Sequence, residues 1–251
     1  MTSAITKDDF LGGRLRIRQP AAGYRAGVDA VLLAAATNAK DGQTVLELGC
    51  GVGVASLCLA ARVPGVQVTG VELQQAYADL AQENAAQNTL PLDVYCADLR
   101  QLPHAVKQSR YDHVMMNPPY FLQQAGHKAA DDGRAIALSG ETPLADWLDA
   151  GARRLQPKGY LTLIQRTERL PDVLAGLEGR LGSITVLPIA GRVGRDPNLF
   201  LLSARQGGRA PFRLAPPLVM HDGVAHQDDR ESYVQNVQQI LRNGAPLFIS
   251  G

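Results

Sequence analysis

The sequence contains few of the features that mark secreted, membrane-spanning or metal-binding proteins. Its three cysteines, Cys50, Cys58 and Cys96, lie in apolar surroundings without a CxxC pair or another metal-ligand spacing. We therefore expect buried, reduced thiols and no metal. No segment approaches the ~18 uncharged apolar residues of a membrane-spanning helix. The N-terminus lacks the apolar stretch of a signal peptide, so we expect a cytoplasmic protein.

Neither sign of charge dominates. The 25 lysines and arginines against 24 acidic residues give a formal net charge of +1, so binding of nucleic acid would depend on a local patch. We find no repeat, low-complexity linker or clear domain boundary. We expect one domain over residues 1–251, consisting of an N-terminal extension (1–24), a core (25–165), and a hairpin with a C-terminal tail (166–251).

Strand-like and helix-like segments alternate through the core. The short apolar segments are TVLEL (44–48), VQVTGVEL (66–73), DVYCA (93–97), YDHVMMN (111–117) and YLTLIQ (160–165). Such alternation is typical of a parallel sheet with helices on both faces. Two further segments, ITVLPIAG and LFLLSARQ, have only a loop between them, which predicts an antiparallel hairpin at one sheet edge. We predict an α/β fold with a mostly parallel, seven-stranded sheet.

A glycine-rich turn follows the first of these strands and leads into a helix. Gly49, Gly51 and Gly53 have GxGxG spacing, whereas dinucleotide sites prefer GxGxxG. Glycines allow a sharp bend and a close approach of a ligand to the backbone. Glu47 lies two residues before the turn, where a carboxylate suits a cationic or amino-bearing ligand.

Carboxylates also end the next two strands. Glu72 can accept hydrogen bonds from both hydroxyls of a ribose, and Asp98 can accept one from the exocyclic amine of adenine. Each residue taken alone could be a helix cap or a turn residue, and for Asp98 alone this interpretation is the favoured one. Together with Glu47, they place three carboxylates at the sheet edge where ligands bind in open α/β folds.

The segment VMMNPPYF (114–121) ends a strand with an amide, two prolines and two aromatic residues. Prolines lack an N–H group, so the sheet ladder cannot continue through them. The Asn117 side-chain oxygen and the Pro118 carbonyl can each accept one N–H of a planar amino group, and Tyr120 can stack on a flipped base. This pattern predicts a clamp for an NH₂ group; the alternative is a rigid turn with packed aromatics.

Two arginine-rich stretches stand out in the near-neutral chain. The first stretch, residues 14–18, alternates arginines with apolar residues. This alternation predicts a strand with one basic face, which is either solvated or directed at RNA. The second stretch spans residues 191–213. A separate polar loop, at residues 122–137, follows the clamp and is either a lid over the site or an ordinary surface loop. Arginine forks suit phosphates. The candidate substrate-binding residues are Arg14, Arg16, Arg18, Lys128, Arg192 and Arg195.

The order ELGCGVG, Glu72, CADL and NPPY resembles Rossmann-like class I methyltransferases that use S-adenosyl-L-methionine. The resemblance implies that the three glycines wrap the methionine end of the cofactor and that Glu47 lies near its amino group. It also implies that Glu72 holds the ribose and that Asp98 meets the adenine. Leu73, Leu99 and Asn117 complete the implied cofactor site. In this family NPPY marks enzymes that methylate amino groups.

Longer segments, including QPAAGYRAGVDAVLLAA and GRVGRDPNLFLLSARQGG, resemble the bacterial tRNA1(Val) adenine-N6 methyltransferase group. This resemblance implies a tRNA substrate, and it implies that the segment from Tyr24 to Asp29 closes over the cofactor. Asp29 also suits the first turn of a helix. The alternatives are methylation of a glutamine amide in a protein, methylation of guanine N2 in rRNA, and a non-catalytic RNA-binding module.

Overall fold

A computed structural model of the chain describes residues 4–120, 142–223 and 232–249. Within these ranges, no helix is long and apolar enough to cross a membrane. The strands are β1 (Ile5–Phe10), β2 (Leu15–Pro20), β3 (Thr44–Leu48), β4 (Gln67–Glu72), β5 (Asp93–Cys96), β6 (Tyr111–Met116), β7 (Leu155–Arg166), β8 (Leu181–Ala190), β9 (Leu199–Gln206), β10 (Arg213–Leu214) and β11 (Leu218–Val219). The helices are α1 (Val28–Ala36), α2 (Val54–Arg62), α3 (Gln75–Asn88), α4 (His104–Gln108), α5 (Leu144–Arg154), α6 (Leu170–Leu177) and α7 (Gln235–Asn243).

Nine of these strands form one mostly parallel sheet. The order is β10-β8-β9-β7-β6-β3-β4-β5, and β11 also pairs with β8. Only β9 runs antiparallel to its neighbours, β7 and β8. The predicted α/β fold with an antiparallel edge hairpin is therefore confirmed in the seven long strands. The sequence analysis did not predict the two-residue strands β10 and β11.

The central strands are mostly apolar because helices cover both faces of the sheet. Alternate side chains point to opposite faces, so Val45 and Met115 pack in one layer, while Leu46 and Val114 pack in the other. Helices α1, α2, α3 and α7 contribute to the first layer, and α5 and α6 contribute to the second. The edge strand β5 is less covered, and Cys96 at its end is exposed. Our expectation of a buried thiol at this position was wrong.

The N-terminal segment forms a separate two-stranded hairpin, β1-β2. Leu15 and Ile17 are buried against the α1-α2-α3 layer, so the predicted period-two strand is present. The backbone N–H groups of Arg16 and Arg18 donate to the side-chain oxygens of Asn88 and Asn84 at 3.0 Å and 2.8 Å. Side chains of α3, and not another strand, therefore satisfy this edge of β2.

All parallel strands of the large sheet end at one edge, which we call the carboxyl edge. The glycine turn follows β3 there, the NPPY corner follows β6, and the loop at residues 191–198 follows β8. The opposite edge, called the amino edge, holds the starts of these strands and the end of β9. This arrangement brings together residues that are far apart in the sequence.

Candidate functional site at the carboxyl edge

The glycine turn is tied to the neighbouring strand by its backbone. The N–H groups of Gly49 and Cys50 donate to the Val71 carbonyl at 2.8 Å and 3.0 Å. Gly49 has a φ of 69°, and a Cβ added there would lie 2.5 Å from the Trp147 ring on α5. Glycine is therefore required here both for the backbone conformation and for the packing of Trp147. Gly51 and Gly53 have positive φ as well, and Gly53 is the N-cap of α2.

Two of the predicted carboxylates anchor this turn. One oxygen of Glu47 accepts hydrogen bonds from the N–H and the hydroxyl of Ser56 in the first turn of α2. Glu72 accepts from Gly51 N–H through one oxygen and from Gln74 N–H through the other, both at 2.9 Å. Burial raises the pKa of Glu47 to about 8, and it also raises the pKa of Glu72. The raised pKa of both groups reflects the free-energy cost of ionising a carboxyl group inside the protein.

Asp98, the third carboxylate, has a local structural partner. It is the N-cap of a short 3-10 turn, Leu99–Gln101, and accepts from Arg100 N–H at 2.8 Å. The Arg100 guanidinium also donates to Asp98, and these bonds lower the pKa of its carboxyl group. Asp98 therefore caps this turn, as the alternative interpretation expected. Its contact with adenine stays a prediction. Leu73, at the end of β4, is exposed, whereas Leu99 is buried.

Asn117 has an unpaired acceptor. Its Nδ2 lies 3.4 Å from the Tyr24 hydroxyl oxygen. Its Oδ1 is buried and has no hydrogen-bond partner among the described residues. A buried amide oxygen without a donor is costly, so this atom is a candidate for contact with a substrate N–H.

The Pro118 carbonyl is held by a residue that the sequence analysis missed. Gln165, at the end of β7, is completely buried, and its Nε2 donates to the Pro118 carbonyl at 3.2 Å. The Gln165 Oε1 accepts from the Arg166 N–H at 2.8 Å, which fixes the orientation of the amide. The sequence indicated this role only weakly: Gln165 has an amide side chain at the end of an apolar strand, and that strand ends at the carboxyl edge.

Tyr120 is fixed at both its hydroxyl and its ring. The hydroxyl donates to Asp29 Oδ2 at 2.6 Å, and the Arg166 guanidinium lies 5.7 Å from the ring centroid. Burial and the nearby Asp29 carboxylate raise the pKa of Tyr120. Asp29 lies in the first turn of α1, as expected, and its contact with Tyr120 was not predicted.

Tyr24 lies over the glycine turn and among the carboxylates. A Cβ added at Gly51 would lie 3.7 Å from the Tyr24 ring, and the Tyr24 carbonyl accepts from the Tyr77 hydroxyl at 3.1 Å. The ring is 42% exposed, whereas the hydroxyl is directed inward at Asn117. Enclosure of the hydroxyl, and then the charges of Asp29, Glu47 and Glu72, raise the pKa of Tyr24. Acidic side chains therefore surround this hydroxyl.

Most of the candidate substrate-binding arginines have partners within the chain. Arg14 donates to the carbonyls of Asn243 and Ala61 at 3.0 Å and 3.2 Å. Arg18 pairs with Glu83, and Arg16 lies 4.0 Å from Asp9. Arg192 is buried, and its guanidinium donates to the carbonyls of Asp222 and Gly223. Arg14, Arg18 and Arg192 thus connect segments of the fold.

The second arginine-rich stretch is divided between the two edges of the sheet. Arg195 is exposed in the loop at residues 191–198, which is held against β7 by Thr167, whose N–H donates to Asn198 O at 3.0 Å. Strand β9 then runs to the amino edge, where Arg205 lies over the Tyr160 ring and Arg209 is exposed. Lys128 and the predicted loop at 122–137 lie outside the described residues.

Comparison with known proteins gives consistent matches to methyltransferases. Residues 25–188 match the family model "Methyltransferase small domain". The tRNA1(Val) (adenine(37)-N6)-methyltransferase of Dickeya chrysanthemi (strain Ech1591) is 29% identical over 247 residues, which is 96% of each chain. The crystal structure of a predicted O-methyltransferase from Agrobacterium tumefaciens is similar, with a TM-score of 0.70 and 27% identity over 88% of this chain and 98% of the other.

A second solved structure is similar in fold. The Thermus thermophilus 16S rRNA N2 methyltransferase, in complex with S-adenosylmethionine (AdoMet) and guanosine, has a TM-score of 0.57 and 22% identity. The match covers 81% of this chain and 50% of the other. At this identity the similarity establishes the Rossmann-like methyltransferase fold alone.

Proposed function

This chain belongs to the methyltransferase small domain family of S-adenosylmethionine-dependent enzymes, and we propose that it methylates the N6 amino group of an adenine in tRNA. The observation that carries the proposal is the buried, unpaired Oδ1 of Asn117 at the carboxyl edge. The relatives whose printed name is tRNA1(Val) (adenine(37)-N6)-methyltransferase support the choice of tRNA.

The described residues fit the chemistry of this cofactor. S-adenosylmethionine supplies an electrophilic methyl group on a positively charged sulfonium. The Asp29 and Glu72 carboxyl groups around Tyr24 suit a ligand that carries positive charge, and the buried Glu47 carboxyl group can pair with such a ligand when it loses its proton. Each Glu72 oxygen accepts one backbone N–H and retains capacity for a ribose hydroxyl. We assign the methionine end to Gly49, Gly51 and Gly53, and the nucleoside to Glu72, Leu73, Asp98 and Leu99.

The clamp provides two acceptors for the two N–H bonds of a primary amino group. One is Asn117 Oδ1, and the other is the Pro118 carbonyl, which accepts from Gln165 and from no other residue that the structure describes, and so retains a lone pair for a substrate N–H. These bonds orient the nitrogen and stabilise the positive charge that develops on it during methyl transfer. Tyr120 offers an aromatic face for the base after it leaves the helical stack.

Two acceptors favour an amino group over a hydroxyl substrate. A hydroxyl has one hydrogen and can contact only one of the two acceptors, whereas a primary amino group can contact both Asn117 Oδ1 and the Pro118 carbonyl. The amino group is therefore oriented by two hydrogen bonds and the hydroxyl by only one. The same reasoning does not separate adenine N6 from guanine N2 or from a glutamine amide, so the substrate class must be tested directly.

The test uses purified protein, methyl-tritiated S-adenosylmethionine, and an extract from cells that lack this activity. The labelled products are divided between ribonuclease and protease digestion, and the nucleosides are separated. We expect ribonuclease-sensitive label that is recovered as N6-methyladenosine from tRNA. Label in protein, or in N2-methylguanosine from rRNA, would overturn the proposal. Cofactor binding without any labelled product would favour a non-catalytic RNA-binding role.

A further inference from the structure

We infer that Gln19 is a positioning residue through which the N-terminal hairpin holds Tyr24 over the glycine turn. The inference rests on the cofactor site assigned in the proposed function. Gln19 lies near the end of β2, and only 1% of its surface is exposed. Residues 21–27 connect β2 to α1 without forming a helix or a strand, and they carry Tyr24 to the carboxyl edge.

The Gln19 amide closes this connection at its base. Its Oε1 accepts from the Ala26 N–H at 2.9 Å, and its Nε2 donates to the Ala26 carbonyl at 3.2 Å. The Nε2 also donates to Asp8 Oδ2 at 2.9 Å. An amide that turned over would place its oxygen against the Ala26 carbonyl and the Asp8 carboxylate, so one orientation is strongly favoured.

The hairpin β1-β2 provides a firm base for this pair. Leu15 and Ile17 are buried in the layer that contains α1, α2 and α3, which fixes β2. The Arg25 guanidinium also donates to the hairpin, to Asp8 Oδ2 and to Thr6 Oγ1, both at 2.6 Å. The connection is therefore attached to the hairpin at two successive residues, through a guanidinium and through a buried amide.

Tyr24 is the residue that this attachment places in the site. A Cβ added at Gly51 would lie 3.7 Å from the Tyr24 ring, and Asn117 Nδ2 lies 3.4 Å from the Tyr24 hydroxyl oxygen. The Tyr77 hydroxyl donates to the Tyr24 carbonyl at 3.1 Å. Because 42% of Tyr24 is exposed, packing alone does not fix its ring, and these backbone contacts on either side of it do much to set its position.

The consequence concerns binding of the cofactor. Without its attachment, the connection would populate conformations in which Tyr24 lies away from Gly51. The apparent affinity for a ligand that needs the attached conformation falls in proportion to the fraction of molecules that adopt it. Gln19 therefore acts on cofactor affinity without contacting the cofactor.

The test replaces Gln19 with an apolar side chain of the same length. We expect Gln19→Met to weaken binding of S-adenosylmethionine, measured by calorimetry, by about 10-fold. Asn88→Leu is the matched control, because the Asn88 amide pairs in the same reciprocal way with the N–H and carbonyl of Arg16, at 3.0 Å and 2.9 Å. It ties the same hairpin to the end of α3 and should retain the affinity. Unchanged affinity in Gln19→Met, or an equal loss in Asn88→Leu, would overturn the inference.

Two further variants keep the test valid if Gln19→Met does not fold. Arg25→Ala removes the more exposed attachment and should weaken cofactor binding in the same direction, by about 3-fold; full affinity in this variant would contradict the inference. Tyr24→Ala gives the second measurement. If the hairpin acts through Tyr24, then adding Gln19→Met or Arg25→Ala to Tyr24→Ala should cause no further loss of affinity. Losses that multiply would show that the attachment acts elsewhere.

A third measurement needs neither RNA nor cofactor. The Ala26 amide proton should exchange with solvent at least about 10-fold faster in Gln19→Met than in the unaltered protein or in Asn88→Leu, because its acceptor is lost. Equal exchange in all three proteins would overturn the inference. The expected pattern of cofactor affinities, without methylation of tRNA by the unaltered protein, would overturn the proposed substrate and support the positioning role of Gln19.

Discussion

The two edges of the large sheet use similar polar residues in opposite ways. At the amino edge, Asp112 Oδ2 accepts from the N–H and hydroxyl of Thr44 at 2.9 Å and 3.0 Å, and its Oδ1 accepts from Gln156 and Gln43. At the carboxyl edge, Asn117 Oδ1 accepts from no described residue. A polar group whose hydrogen-bond partners all lie within the protein stabilises the fold, whereas an unpaired polar group is available to a ligand.

An unpaired acceptor alone does not make a site, as His113 at the amino edge illustrates. The Gln43 Oε1 accepts from Lys40 N–H, so His113 Nε2, 3.2 Å away, must be the donor to that oxygen. Burial lowers the pKa of His113 to about 4, and its Nδ1 has no partner among the described residues. It borders a cavity of about 490 Å³. Within the described part of the chain, only the carboxyl edge adds a glycine turn and several buried carboxylates to such an acceptor.

The largest effect should come from removing the unpaired acceptor. We expect Asn117→Ala to lower kcat by about 10³-fold, because one of the two contacts to the reacting nitrogen is lost. Cofactor affinity, measured by calorimetry, should be retained. Asn38→Ala at the amino edge is the control and should keep full activity. Normal methylation of RNA by Asn117→Ala would show that the clamp is wrongly assigned.

The buried carboxylate of the glycine turn should show a pH-dependent effect on stability. The pKa of Glu47 is raised from 4.5 to about 8 in the folded state, so the folded protein keeps a proton that the unfolded chain releases. Stability should therefore fall as the pH rises from about 4.5 to 8, by on the order of 3 kcal/mol.

Glu47→Gln tests this effect, since the amide cannot ionise. Denaturant unfolding at pH 5 and pH 8 should show a smaller decrease in the variant than in the unaltered protein. The exposed Glu178→Gln serves as the control and should leave the decrease unchanged. Equal decreases in all three proteins would mean that Glu47 does not carry the raised pKa.

The amino-edge cluster should affect stability without affecting catalysis. Asp112→Ala leaves Thr44, Gln43 and Gln156 without their acceptor, so we expect a loss of about 2 kcal/mol in the free energy of unfolding. The kcat measured below the unfolding transition should be unchanged. A large decrease in kcat with normal stability would reverse the distinction between the two edges.

The smallest effect should distinguish Arg195 from Arg209, two arginines of the stretch at residues 191–213. We expect Arg195→Ala, at the carboxyl edge, to weaken tRNA binding by about 2- to 5-fold and to reduce the slope of log affinity against log salt by about 1. Arg209→Ala, at the amino edge, should leave both quantities unchanged. Equal effects of the two variants would indicate that RNA contacts the whole stretch.

The sequence predicted the elements whose apolar pattern is strong. One of the helix-like segments that alternate with the predicted strands, QAYADLAQENAAQN, forms α3 over Gln75–Asn88. Strand β1 was missed because only Ile5 and Phe10 of its six residues are apolar, which is too few for a period-two pattern. Helix α4 has five residues, too few for a helical period to be recognised. An element can be predicted when the apolar residues that it buries recur at a regular spacing in its own sequence.

The candidate site likewise contains residues that the sequence predicted and residues that it did not. Glu47, Glu72 and Asn117 were identified because each ends or follows a strand, and parallel strands end at a common edge. The sequence by itself thus determined the sheet, the glycine turn and the position of the NPPY corner at the carboxyl edge. Tertiary structure alone decided that Gln165 holds the Pro118 carbonyl, that Asp29 meets Tyr120, and that Arg192 is buried. These contacts join residues separated by tens of positions, and hydrogen-bond geometry over such separations is fixed only when the layers of the fold are packed.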